Sequence, residues 1–145
     1  MLFKKDFFSA AEKQLIKEAV QQAEEKTSGE IRVYVEAKNG EDVVLHATQV
    51  FHRLKMHETR ERNGVLFYLA YGNHRFAIIG DEGIHQKVGN DFWDNVKKVM
   101  EEFFRKKKFI EGLQKGIGMA GDKLKQHFPY EKSDKNELSD DMIVR

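Results

Sequence analysis

Residues 64–80 read GVLFYLAYGNHRFAIIG, and the rest of the fold follows from how this stretch is read. Residues 65–71 form an unbroken apolar run between Gly64 and Gly72. A run of that length, rich in aromatic and aliphatic side chains, predicts a central strand covered on both faces. After the short link Gly72-Asn73-His74, residues 75–79 (RFAII) make the next strand. Such a link permits a hairpin but no helical crossover, so the two strands are expected to be antiparallel neighbours.

Upstream, Ser9-Ala10-Ala11-Glu12 is a capping box, in which Ser and Glu each satisfy a backbone N–H near the helix start. Leu15, Ile16, Ala19, Val20 and Ala23 then recur at helical spacing, predicting a helix over about 9–28 that closes at Gly29. Ile31, Val33 and Val35 alternate with Arg32, Tyr34 and Glu36, the period of a strand. A second helix is expected over about 41–56, so the first two strands can pair in parallel across it. The charged stretch 57–63 (HETRERN) offers nothing to a core and is read as a surface loop.

Downstream of Ile79, a short amphipathic piece runs to Val88, and Asn90 or Asp91 caps a helix carrying Phe92, Trp93, Val96, Met100 and Phe104. Another follows with Phe109, Ile110, Leu113, Ile117, Ala120 and Leu124, and Pro129 ends it. Gly112, Gly116 and Gly121 weaken that helix, which predicts close packing against a neighbour. Residues 129–145 are polar with few apolar anchors and are expected to be a disordered tail, leaving one domain over 1–128. The predicted fold is α/β: a three-layer α/β/α sandwich with a small mixed sheet.

Composition excludes several function classes. The chain has 145 residues, the length of one domain. Its 25 Lys+Arg against 24 Asp+Glu leave a net charge of +1, which argues against binding nucleic acid through bulk positive charge. With 0 Cys there is no disulfide, thiolate metal site or Cys nucleophile. No window is apolar enough to span a membrane, and residues 1–8 lack the apolar segment of a secretory signal, so a cytoplasmic protein is expected.

Motifs narrow the chemistry further. His57-Glu58-Thr59-Arg60-Glu61 begins like a zinc-protease motif but has Glu61 where the second His is required. There is no phosphate-binding P-loop at 80–83 and no nucleophile elbow. Arg105-Lys106-Lys107-Lys108 reads as a cationic last helical turn that complements the helix dipole. One constellation remains. Asp81 and Glu82 follow the last strand of the hairpin, and Asp91 and Asp94, three apart, share the first turn of the next helix. Placed in a crevice at the strand ends, these carboxylates would repel one another unless a hard cation lay between them. The same residues also make good helix-start anions and turn formers.

The pieces Thr27-Ser28-Gly29-Glu30-Ile31-Arg32-Val33, Arg62-Asn63-Gly64-Val65-Leu66, Arg75-Phe76-Ala77-Ile78-Ile79-Gly80-Asp81 and Phe109-Ile110-Glu111-Gly112-Leu113, in this order, resemble the TPM domain family over about residues 8–128. That family includes thylakoid-lumen acid phosphatase-like proteins linked to photosystem II repair and many bacterial proteins. The resemblance implies an α/β/α sandwich with an acidic, divalent-cation-binding cleft, and phosphatase activity in part of the family. Many relatives have a Gly-Tyr-Gly-rich segment where this chain has Gly80-Asp81-Glu82-Gly83-Ile84.

The metal ligands expected are therefore Asp81, Asp91 and Asp94, with Glu82 and Glu30 as secondary candidates, and Ca²⁺ is expected ahead of Mg²⁺. A metal-dependent phosphatase on that site would act through metal-bound water. The competing reading is a protein-interaction module without chemistry, using the 57–63 loop or the C-terminal tail.

Overall fold

Alternation along the strands sorts side chains into two cores. The computed structural model describes residues 7–37, 42–130 and 142–144. Helix α1 (Ala10–Glu24) leads into β1 (Glu30–Glu36), α2 (Val43–Arg53) into β2 (Gly64–Ala70), and β3 (Arg75–Gly80) into α3 (Glu82–Arg105). Helix α4 (Phe109–His127) and a short strand β4 (Ile143–Val144) complete the described chain. Ile31, Val33, Val35, Val65, Phe67 and Leu69 face one way, against Ile16 and Val20 of α1, Val96 and Met100 of α3, and Leu113 and Ile117 of α4. Tyr34, Leu66, Tyr68, Ala70 and Ala77 face the other way, against Ala47, Val50 and Phe51 of α2. The result is an α/β/α sandwich with three helices on one face and one on the other.

The sheet order is β3-β2-β1-β4. β1 and β2 pair in parallel from Glu30↔Gly64 to Glu36↔Ala70, across the α2 crossover. β2 and β3 form the antiparallel hairpin, from Val65↔Gly80 to Ala70↔Arg75. Every residue of β2 is buried, as a strand covered on both faces must be.

Helix starts follow local chemistry. Ser9 accepts from the Glu12 N–H while Glu12 accepts from the Ser9 N–H, closing the expected box. Asp42 caps α2 by accepting from Val44 and Leu45. The first helix ends earlier than its periodicity suggests. The Thr27 hydroxyl bonds the Phe128 carbonyl, and the Ser28 N–H donates to the same carbonyl at 3.0 Å, so the chain turns early to meet the end of α4. Gly89, at φ 73° and ψ 177°, breaks α3 between its two halves, matching the two segments read from the sequence.

Two expectations need correction. The 57–63 stretch is not wholly superficial: Met56–Glu58 make a 3₁₀ turn, and Thr59 and Asn63 are buried, with the Asn63 N–H donating to Thr59 Oγ1 at 3.2 Å. Most of the tail expected to be disordered, 131–141 and 145, lies outside the described residues, but Ile143 and Val144 extend the sheet beside Tyr34 and Val35.

Helix α2 is fastened to its face by a polar contact. The Glu36 carboxylate accepts from the Tyr68 hydroxyl and lies 2.5 Å from His46 Nε2. Burial, then the bond to Glu36, push the Tyr68 phenol well above its ordinary value. The folded chain therefore keeps a proton that the unfolded phenol loses near pH 10. Stability from this source is present below that pH and lost as pH rises beyond it. Denaturation curves taken between pH 9 and 11 should fall less steeply for Tyr68→Phe than for the parent.

The glycines of α4 serve close packing. A Cβ at Gly121 would lie 2.7 Å from Ala23 Cβ of α1, whereas one at Gly118 would meet nothing within 4 Å. Gly121→Ala should cost about 1–3 kcal/mol through overpacking, while Gly118→Ala should add about 0.5–1 kcal/mol of helix stability. Urea titrations giving the same sign for both would refute the close α1–α4 contact.

Candidate functional site

The hairpin decides which end of the sheet carries the acids. Because β3 runs against β2, Gly80 lies beside Val65, and Asp81 emerges at the amino ends of β1 and β2. The crevice at the carboxyl ends of the parallel strands, where these acids were expected, is the opposite end. Glu30, the first residue of β1, lies at the Asp81 end. Gly64 stands between the two acids: its carbonyl accepts the Asp81 N–H at 2.9 Å, and the Glu30 N–H reaches the neighbouring Asn63 carbonyl at 3.4 Å. Glu30 is 2% exposed and Asp81 7%.

Asp81 has two local duties. Its carboxylate caps α3 by accepting from the Glu82 N–H at 2.8 Å. It is also gripped by Arg62, with Nε donating to Oδ2 at 2.8 Å and Nη2 to Oδ1 at 2.9 Å. The same guanidinium donates through Nη1 to Glu82 Oε1 at 3.2 Å. A two-point grip of this kind suits the planar guanidinium fork. The hydrogen bonds to Asp81 hold the Arg62 guanidinium above its ordinary pKa despite the opposing effect of desolvation.

Backbone geometry places that guanidinium. Arg62 has φ 53°, a left-handed conformation uncommon outside glycine. Its carbonyl accepts the N–H groups of Gly83 at 2.8 Å and Ile84 at 3.3 Å, satisfying donors in the first turn of α3. A Cβ at Gly83 would sit 2.1 Å from the Glu61 carbonyl oxygen, so only glycine allows this approach. Next to it, Ser28 Oγ donates to Glu61 Oε2 at 2.6 Å and accepts from Asn63 Nδ2 at 3.2 Å.

Of the five acids read from the sequence, Asp81 and Glu82 are joined through Arg62, and Glu30 lies at the same end of the sheet. Asp91 and Asp94 are exposed on the second half of α3, beyond Gly89 and apart from the Arg62 grip. Among the described residues, no three His, Asp or Glu are grouped to hold a metal ion. The donor chemistry suits a hard cation, but the position beside Asp81 and Glu82 is taken by an internal one. Arg62, Ser28 and Asn63 were not foreseen as site residues. Arg62 and Asn63 lay inside a stretch read as a solvated loop, and nothing in their spacing links them to Asp81, which lies 19 residues beyond Arg62. Trp93 packs against the end of β3: a Cβ at Gly80 would lie 2.5 Å from its Cζ2.

The architecture is that of a small three-layer α/β/α domain with a carboxylate–guanidinium cluster at one sheet end. The chain belongs to the TPM domain family, whose model matches residues 3–123. Among solved structures it is similar to the BA42 protein from the psychrophilic bacterium Bizionia argentinensis, with TM-score 0.89, 41% identity and 96% of each chain covered. It also shares its fold with the N-terminal domain of the cg2496 protein from Corynebacterium glutamicum, with TM-score 0.65 and 11% identity over 97% of this chain and 82% of that one. No curated protein matches the sequence. Among the described residues, no helix is long and apolar enough to cross a membrane.

The grip of Arg62 on Asp81 is testable by a double-mutant cycle. Arg62→Gln should lower the melting temperature by leaving Asp81 unpartnered, and Asp81→Asn should keep the helix cap. The double variant should then be less destabilised than the sum of the single losses. Additive losses would mean that the two side chains act independently.

Proposed function

We propose that the TPM domain of this chain is a divalent-cation-binding module, and that the Arg62–Asp81 cluster is its working end. The observation that carries the reading is the withdrawal from water of two carboxylates, Glu30 and Asp81, at one end of the sheet. Buried carboxylates are costly unless a positive charge accompanies them. For Asp81, Arg62 supplies that charge from a partly exposed side chain. A hard cation, Ca²⁺ ahead of Mg²⁺, would take its place on the oxygens of Asp81, with Glu82 and Glu30 as further donors. Asp91 and Asp94 would join only if the second half of α3 moved about Gly89.

Hydrolysis of phosphomonoesters is the activity to assay once cation binding is established. The attacking group would be water held by the cation, as no side-chain nucleophile is needed for that route.

The test uses full-length protein stripped with EDTA and followed by thermal unfolding against added Ca²⁺ or Mg²⁺. Cation at about a hundred times its Kd should add about 2.7 kcal/mol of stability. Asp81→Asn should abolish the shift, and Arg62→Gln should lower the Ca²⁺ concentration needed, because the competing internal cation is gone. A shift that persists in Asp81→Asn, or no shift in the parent with either cation, would overturn the proposal.

A further inference from the structure

At the far end of the sheet from Asp81, where β2 ends and β3 begins, the surface opens into a groove of about 670 Å³. That volume lies within the usual range of small-molecule sites. Its floor is aromatic: Phe76 meets Phe104 edge-to-face with ring centroids 4.9 Å apart, and Phe104 meets Phe109 at 5.4 Å. The row continues through Phe7, 5.6 Å from Phe109 and stacked on Tyr71 at 4.2 Å. Phe76, Phe104 and Phe109 are only half-buried, so each leaves ring surface open to the groove.

The rim is cationic. Lys97, Arg105 and Lys107 line the groove and are exposed, and they stand against the single carboxylate Glu101 among the described lining residues. The basic run at 105–108 was read as a complement to the dipole of α3. In the structure, the backbone N–H groups of Lys106, Lys107 and Lys108 close the last carbonyls of that helix, at 2.9–3.1 Å from the oxygens of Phe103 and Phe104. The side chains place positive charge at the end of the helix without being tied up in closing those carbonyls. Arg105 contacts Glu102 at 3.9 Å, but both are exposed, and such a pair has little energetic weight. The position also fits the topology: the carboxyl ends of parallel strands in an open α/β sheet are where ligands usually bind.

We propose that this groove binds one molecule of a free anionic amphiphile. Its apolar body would lie on Phe76, Phe104 and Phe109, and its carboxylate or phosphate head would face Lys97, Arg105 and Lys107. Charge complementarity selects the anion, and the aromatic floor selects an apolar body over a small inorganic ion. The site does not depend on the acidic end and can fail or stand without it.

The test is an NMR titration of full-length ¹⁵N-labelled protein with decanoate, decyl phosphate and decyltrimethylammonium, each kept below micelle formation. Both anions should produce saturable shifts in the amides of 69–76 and 97–109, and decyltrimethylammonium should not. Lys97→Glu with Arg105→Glu, both at exposed positions, should weaken decanoate binding roughly tenfold or more, a loss of about 1.4 kcal/mol at least. Lys97→Arg with Arg105→Lys should keep it. Equal response to the cationic amphiphile, no saturation with either anion, or unchanged binding in the charge-reversed variant would overturn the proposal. So would binding to phosphatidylglycerol vesicles without binding of the monomers. The three amphiphiles decide the charge requirement on unaltered protein, whatever the variants do.

Discussion

The left-handed turn at Arg62 is the constraint on which the acidic end of the molecule depends. One residue with φ 53° aims a carbonyl at the start of α3 and a guanidinium at the residue that caps the same helix. Holding a non-glycine residue in this conformation costs on the order of 1 kcal/mol or more. The cost is met by two backbone hydrogen bonds and a bidentate ion pair. Gly83 is the matching constraint on the facing segment, because any side chain there would strike the carbonyls of Glu61 and Arg62. The entry into β2 and the exit from β3 are thereby locked together, and Asp81 has little freedom to face anywhere else.

The near-balanced net charge conceals a separation. At the amino ends of β1 and β2, carboxylates gather around one guanidinium. At the other end, Lys97, Arg105 and Lys107 ring an aromatic floor. Between these ends, among the described residues, α1, α3 and α4 cover one side of the sheet and α2 the other. The acidic cluster and the basic groove thus lie at opposite rims of the sheet. The Glu36–His46–Tyr68 contact is a third polar feature, but its hydrogen bonds run inward and hold α2 to the sheet.

Much of the fold was legible in the sequence because its signals are short-range. The capping box at Ser9 and Glu12, the alternation of 31–35, the continuous run of 65–71 and the short 72–74 link each define local geometry, and burial does the rest. The glycines of α4 were readable for a similar reason, since a glycine in a helical pattern needs a cause, and the break in α3 was readable from the helix start at Asn90 or Asp91. The candidate site was less legible. Asp81 and Glu82 stood out as acids after a strand, but the partner that neutralises them comes from a stretch whose charge made it look like solvated loop. Linear pattern does not reveal that Arg62 turns left-handed or that Thr59 and Asn63 are drawn inward. The strand β4 was missed because two apolar residues in a polar tail carry no periodic signal, and an edge strand needs only a free sheet edge to pair with.

The antiparallel return of β3 explains why sequence motif and topological rule pointed to different ends. In a fully parallel sheet, the residue after each strand would face the same crevice, and Asp81 would lie with the carboxyl ends of β1 and β2. Reversing one strand sends its following acid to their amino ends, the end that also carries Glu30 and the start of α3. There the N-terminal N–H groups of α3 and the guanidinium of Arg62 both favour negative charge, so a buried carboxylate is tolerated. At the carboxyl ends, Glu36 is turned inward to Tyr68 and His46, and the groove beyond is lined mainly by aromatic and basic residues. A single change of strand direction therefore gives one small sheet two rims of opposite chemistry.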